Sequence, residues 1–417
     1  MLLHKDRLNA YMKQGGIDAV VATSPVNVTY LSDYACWTDP IFREYMVVPG
    51  GSSNLFQNYA IVPAAGEAAL VLAPLLAVGA SDSWISDIYL SGANVPVLSD
   101  DASVSSEMLS QSQQFWNRLS ENASAEDALV LALKNRGLDR ATIGIEMEGF
   151  PAERKEAILK ALPHAQLKDC SNLFRLVRMV KSPEEIACLR RSSKINEAAT
   201  QASLALLRPG VSADVLRQEY LRVMAAGGAL LDHFSYSVNG HGIATYLPHL
   251  FGTQDLAFFD NGCIYQNYFS DTGLTISMQA FEDKAARRYE AIDRSIAQAE
   301  ALLKPGATSS AIQAVMVQAI KDYDPEIDSF PHGHGFGLEV RDYPILAPAN
   351  GLRIRDDCVN VSSDLPLEKD MVINLEANIF MPPRGAVHLE KSYLITETGS
   401  ELLIPHDRSG PFIPKNR

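Results

Sequence analysis

The chain has 417 residues, 47% of them hydrophobic and 21% charged, an ordinary make-up for a globular protein of two to three domains. A formal charge of −14 argues against nucleic acid or an anionic membrane as the main partner. Five cysteines, odd in number and without Cys-x-x-Cys spacing, fit reduced thiols better than a disulfide frame or a zinc–thiolate site. The opening Met1–Arg7 has no apolar core of signal-peptide length, and no run reaches the roughly 18–20 apolar residues of a membrane span, so a cytoplasmic protein is expected.

In chain order, residues 4–14 predict an amphipathic helix stopped by Gly15-Gly16, and Asp18 to Thr23 a buried strand. Strand-like runs follow at Tyr45 to Val48, Asn58 to Val62 and Ala68 to Leu72, then helices near 105–119 and 125–137 and a strand at Ala141 to Ile145. This alternation predicts an α/β domain over 1–175. At Lys181-Ser182-Pro183-Glu184-Glu185, Ser182 can cap a helix, Pro183 suits its first position and Glu185 completes a capping box. A second domain is therefore expected over 176–417, with helices near 183–207, 212–226, 282–303 and 309–322. Its strands fall near 231–239, 257–277, 370–380 and 386–396, an α+β pattern of outer helices around a curved antiparallel sheet.

That second domain contains a repeat. Leu206-Leu207-Arg208-Pro209-Gly210-Val211-Ser212 is answered by Leu302-Leu303-Lys304-Pro305-Gly306-Ala307-Thr308, and a strand-rich stretch holding two carboxylates follows each copy. The first stretch holds Asp260 and Asp271, the second Glu376 and Glu390. Two halves facing each other about a pseudo-dyad would bring the four acids together. Four acids stay charged and buried only when something cationic neutralises them.

Asp260 and Asp271 flank a polar turn at Gln266-Asn267 in a run rich in aromatic and β-branched residues, which reads as a hairpin. Glu376 ends Met371-Val372-Ile373-Asn374-Leu375, and Glu390 closes Ala386-Val387-His388-Leu389; both runs would otherwise be core strands. His334 lies in Gly333-His334-Gly335-Phe336-Gly337, where alternating glycines let backbone pass close to a buried centre. Four carboxylates and an imidazole form a hard donor set suited to two divalent ions of Mn, Co, Fe or Zn, and such pairs activate water and polarise a carbonyl.

The order Asp260, Asp271, His334, Glu376, Glu390, with Gly-His-Gly-Phe-Gly-Leu-Glu-Val around the histidine, resembles the creatinase/prolidase/aminopeptidase P family. So do the early segment Ser24-Pro25-Val26-Asn27-Val28-Thr29-Tyr30-Leu31 and the Lys181–Ile186 junction. The resemblance implies a pita-bread catalytic domain preceded by an α/β creatinase-type domain. It implies that Asp260 binds one metal ion and His334 the other, with Asp271 and Glu390 bridging. Glu376 would bind metal and serve as acid/base, and His249, after a Gly-x7-Pro-His run, would hydrogen-bond substrate or intermediate. It further implies a homodimer whose N-terminal domain closes over a neighbouring site, with Trp37-Thr38-Asp39-Pro40 as a contributing loop.

Departures from the family pattern concern substrate. Arg341 stands seven residues after His334, where the proline-directed peptidases carry a histidine, and His388 stands where they often carry arginine. Ala377-Asn378 replaces Pro-Gly after Glu376, Leu274 replaces an arginine, and the stretch from Pro344 to Leu365 is long. Candidate catalytic residues are thus Glu376, His249 and Arg341, with His388 and His332 as substrate contacts. Two alternative activities stay open, the first of them the main expectation. One is a dinuclear metallohydrolase cleaving an amide bond, as an Xaa-Pro dipeptidase or aminopeptidase does. The other is a small-molecule enzyme of the same fold, like a creatinase-type C–N hydrolase or a dimethylsulfoniopropionate lyase.

Overall fold

A computed structural model describes residues 1–35, 57–92, 122–245, 248–281, 283–405 and 410–414. The expected strand at Tyr45 to Val48, the helix near 105–119 and the Trp37-Thr38-Asp39-Pro40 loop lie outside these residues. The chain divides into two compact units, Met1–Arg178 with Arg353–Val361, and Met179–Leu352 with Ser362–Arg417.

The first unit contains α1 (Lys5–Gly15), β1 (Ala19–Ala22), α2 (Pro25–Ser32), β2 (Tyr59–Pro63), β3 (Ala69–Leu72), a 3-10 turn at Pro74–Asp82, β4 (Ile88–Leu90), α3 (Ala125–Asn135), β5 (Thr142–Ile145), α4 (Ala152–Ala161), β6 (Gln166–Asp169) and α5 (Ser171–Arg178). Its sheet runs β4-β3-β2-β1-β5-β6, with β1 antiparallel to β2 and parallel to β5. β1, β2 and β3 are buried on both faces, which explains why they read as continuous apolar runs. The early Ser24–Ser32 segment, which has no helical periodicity, is the helix α2. Ser24 caps it, and Glu146 accepts from Thr23 N (2.9 Å), Ser24 N (2.8 Å) and the Asn27 side chain (2.6 Å). The segment 353–361, from the stretch that looks long in the sequence, packs with this unit and so falls outside the expected division at 175/176. Its Asp356 Oδ2 accepts from Asn172 N (2.8 Å) and Leu173 N (3.0 Å) at the start of α5.

The second unit contains α6 (Pro183–Ala205), α7 (Ala213–Ala226), β7 (Leu230–Val238), β8 (Leu256–Tyr265), β9 (Tyr268–Phe269), β10 (Thr272–Ser277), α8 (Asp283–Glu300), α9 (Ser309–Tyr323), β11 (His332–Gly335) and β12 (Asp342–Leu346). After the small hairpin of β13 (Arg353–Arg355) and β14 (Asn360–Ser362) come β15 (Val372–Phe380), β16 (Ala386–Ile395) and β17 (Ser400–Leu402). One sheet runs β10-β8-β7, the other β12-β11-β15-β16-β17. This is the pita-bread architecture. Among the described residues no helix is long and apolar enough to cross a membrane.

The sequence repeat recurs in three dimensions. Ser212 caps α7 and forms a bridge with Leu250, while Thr308 caps α9 and forms one with Pro366. Gly210 N donates to Phe251 O (2.8 Å), and Gly306 N to Leu367 O (2.9 Å). Between the two sheets, the Thr275 hydroxyl of β10 donates to His388 O and accepts from His388 N of β16, both at 2.8 Å. These bonds tie the halves together beside the four acids.

The capping box at α6 is complete: Glu185 N donates to Ser182 Oγ (3.2 Å) and Ser182 N to Glu185 Oε2 (2.9 Å). Ser182→Ala is expected to cost about 1 kcal/mol, and thermal melting of the catalytic unit should fall by about 2–4 °C. An unchanged melting temperature would show that the cap contributes nothing.

Candidate metal centre

Strand alternation sorts the residues of β8. Phe259 packs with Phe234 (5.2 Å between ring centroids) and Phe251 in the core on one face. Asn261 shares that face, accepting on its carbonyl from Asn196 (2.8 Å) and donating to Thr200 Oγ1 (3.4 Å), both on α6. Asp260 and Phe258 therefore face the other way, and Phe258 stacks on His388 with centroids 4.8 Å apart. Asp260 stands in register with Gly273 of β10 and Ser235 of β7, and Asp271 lies just before β10.

In the other half, Glu376 of β15 stands opposite Glu390 of β16 and His332 of β11. His334 Nδ1 donates to Gly335 O (3.0 Å), which leaves Nε2 directed to Asp271 Oδ2 at 3.5 Å across the seam. Asn374 donates to Glu390 Oε2 at 3.2 Å. The hairpin, the two strand carboxylates and the glycine-flanked histidine thus converge. Asp260 and Glu390 offer oxygens within 4.8 Å of one another and of His388.

The electrostatics of this pocket are those of crowded acids. Burial, then the charges of Asp271, Asp260 and Glu376, hold the Glu390 carboxyl well above the usual range. Glu376 is also penalised by burial, but hydrogen bonding and charge from His332, followed by the charge of His334, bring it below that range. Of two facing carboxyls, then, Glu390 is shifted up and Glu376 down.

The remaining predicted residues fall in different places. His332 Nε2 and Arg341 Nη2 both contact Glu376 Oε1, the latter at 3.2 Å, and Arg341 is half-exposed. Arg341 does not pair with its neighbour Asp342, which turns inward to the buried Lys181 (4.0 Å). His388 was expected at substrate; its side chain is 3% exposed and lies beneath the acids, with Nε2 2.9 Å from Glu390 Oε1. Its burial lowers its pKa and favours the neutral ring. His249 was expected to reach the reacting groups; among the described residues its ring bonds Asp255 (2.7 Å) and is not part of the acid cluster.

Sequence reasoning missed His233. Its Nε2 lies 2.8 Å from Asp260 Oδ1 and 3.6 Å from Asp271 Oδ1. Burial opposes its charge, but hydrogen bonds to Asp232 and Asp260 and the charges of Asp260 and Asp271 push its pKa up to about 10. The signal was there: Asp232-His233 interrupts an apolar strand run, as Glu376 and Glu390 do.

The pocket fits divalent cations. Asp271 Oδ1 and His334 Nε2 are buried and make no hydrogen bond, the condition of donor atoms prepared for an ion. Carboxylates outnumber imidazoles, which matches hard first-row ions.

The fold and this donor set define a metallohydrolase. The sequence pattern of metallopeptidase family M24 matches residues 187–397, and that of the creatinase/prolidase N-terminal domain matches residues 88–180. The chain belongs to family M24, within the creatinase/prolidase/aminopeptidase P group, and is an enzyme of that metal-dependent family. It is 25% identical over 406 residues to an Xaa-Pro dipeptidase of Pyrococcus horikoshii, covering 95% of each chain. Its fold matches that of a prolidase from Pyrococcus furiosus (22% identical, 96% of this chain and 100% of that one, TM-score 0.67). It also matches that of a dipeptidase from Mycobacterium ulcerans (18% identical, 99% and 98% covered, TM-score 0.70).

A Cβ at Gly273 would come within 2.1 Å of His388 Nε2 and 2.8 Å of Glu390 Cγ. The buried ring cannot retreat, so Gly273→Ala should displace Glu390 and weaken divalent-ion binding by about 10–100-fold, as loss of an outer partner does. Titration of metal-free enzyme with Mn2+ tests this. Wild-type affinity in the variant would mean that the strand contact does not position the site.

Proposed function

We propose that the enzyme is a dinuclear metallohydrolase that cleaves the amide bond of Xaa-Pro dipeptides. The observation that carries this reading is the convergence of Asp260, Asp271, His334, Glu376 and Glu390 on one pocket in which two buried donor atoms make no hydrogen bond. Those five residues would hold the ions, manganese being well suited to so oxygen-rich a set. When bound, the ions would activate water and polarise the scissile carbonyl. The full-length similarity to an Xaa-Pro dipeptidase supports the substrate class. The four described cysteines are free thiols, in keeping with a cytoplasmic enzyme, and the family resemblance supports a homodimer.

Glu376 is the acid/base in this reading. His332 holds its carboxylate below the usual range and Arg341 contacts the same oxygen, so Glu376 takes a proton from the attacking water and returns it to the leaving amine. The exposed Arg341 guanidinium is suited to hold the free carboxylate of a dipeptide through its planar fork. The same arginine favours a second reading, a carboxylate-bearing small molecule as substrate, such as creatine or a betaine.

Elemental analysis of active enzyme should find two divalent ions per chain, and a panel of Xaa-Pro dipeptides, creatine and betaine-like compounds should give turnover with the dipeptides. Turnover confined to the small molecules would favour the second reading, and active enzyme without transition metal would end the dinuclear one. Glu376→Gln should lower kcat by about 10² or more with the fold retained; near-normal turnover would move the acid/base elsewhere. Arg341→Lys should raise KM more than it lowers kcat, since a point charge replaces a fork. The reverse split would place Arg341 in the chemical step.

A further inference from the structure

We infer that His233 is a sixth donor of the metal centre, binding through Nε2 the ion that Asp260 and Asp271 hold; this rests on the dinuclear reading above. Three features of the chain build its position. β7 has an irregular register between Leu231 and His233, and a bulge of this kind turns consecutive side chains out of strict alternation. Asp232 can therefore reach the ring of its own neighbour, with Oδ2 2.8 Å from His233 Nδ1. In register across the sheet stands Gly262, where a Cβ would lie 2.5 Å from His233 Cε1 and 2.6 Å from Ser270 O, so only glycine lets the ring lie across β8.

The result is a ring anchored at one nitrogen and aimed at two aspartates with the other. Nε2 is 2.8 Å from Asp260 Oδ1 and 3.6 Å from Asp271 Oδ1, and the three donor atoms fall within 4.8 Å of one another. Asp271 Oδ1 is buried and bonded to nothing, although an imidazole stands beside it. An ion among the three atoms would satisfy that oxygen, accept the Nε2 lone pair and leave Nδ1–H donating to Asp232. A carboxylate, a histidine and a metal in that order form a common second-shell arrangement, in which the carboxylate fixes the tautomer and raises the basicity of the ring.

A cationic ring that merely neutralises the aspartates predicts the opposite response to mutation. If His233 is a ligand, its removal weakens one ion; if it is a competing cation, its removal tightens that ion. Metal-free wild type, His233→Ala, His233→Asn and Asp232→Asn would be titrated with Co2+, followed by calorimetry and by the visible absorption of bound cobalt. Wild type should take up two ions. Both His233 variants should retain one affinity and lose about tenfold or more in the other, with an altered cobalt spectrum, and Asp232→Asn should show a smaller loss at the same ion. Melting of the metal-free proteins identifies any variant that fails to fold, and the asparagine variant serves if alanine does. Two ions bound by the His233 variants at wild-type or higher affinity would overturn the inference while leaving the dinuclear reading intact. Failure of wild type to bind two ions would instead overturn the reading on which it rests.

Discussion

Mutual repulsion among Asp260, Asp271, Glu376 and Glu390 is the constraint around which the catalytic unit is built. At an effective dielectric of about 20, two unit charges about 4 Å apart repel by about 4 kcal/mol, and this pocket sets several such pairs against one another. Protons and imidazoles relieve part of this repulsion. Burial and the neighbouring acids hold the Glu390 carboxyl well above its usual range, while His332 and His233 sit directly on Glu376 and Asp260. Divalent ions supply the charge density that neutralises such a set more fully.

The fold brings these groups together by duplication. Each half supplies a capped helix after a Pro-Gly turn and a strand pair bearing two carboxylates, and the Thr275–His388 bonds lock one half's strand to the other's. The polar stripe of α6, with Asn196 and Thr200, anchors the back of β8 at Asn261, the residue next to Asp260. Burial beneath the acids leaves His388 as a neutral wedge between Phe258 and Glu390, and the close approach of Gly273 makes room for it. The peptidases of this group often carry arginine at that position, so the change alters the support beneath the metal pocket more than the surface a substrate meets.

Much of this was legible in the sequence because charge in a buried strand is anomalous wherever it occurs. The four acids and His334 each break an apolar or glycine-rich run, and the repeat tells that they meet. The helices of the catalytic unit were equally readable, since Ser182, Ser212 and Thr308 are strong caps. What stayed hidden depends on partners distant in sequence. His233 lies 27 residues before Asp260, and its aim depends on a bulge and on Gly262. His249 lost its expected place to Asp255, a carboxylate six residues away. The helix α2 has almost no amphipathic pattern because nearly all of it is buried, and its start is held by Glu146, more than a hundred residues on. The strand β11 was missed because glycine and histidine carry no strand propensity; its pairing with β12 and β15 makes it a strand.

Anomalous scattering of crystals grown with Mn2+, recorded near the manganese absorption edge, tests the dinuclear centre most directly. Two strong peaks should appear in the pocket bounded by Asp260, Asp271, His334, Glu376 and Glu390, with Asp271 Oδ1 and His334 Nε2 each directed at one of them. Full-occupancy crystals with no peak there, and the carboxylates paired only with one another and with histidines, would contradict it.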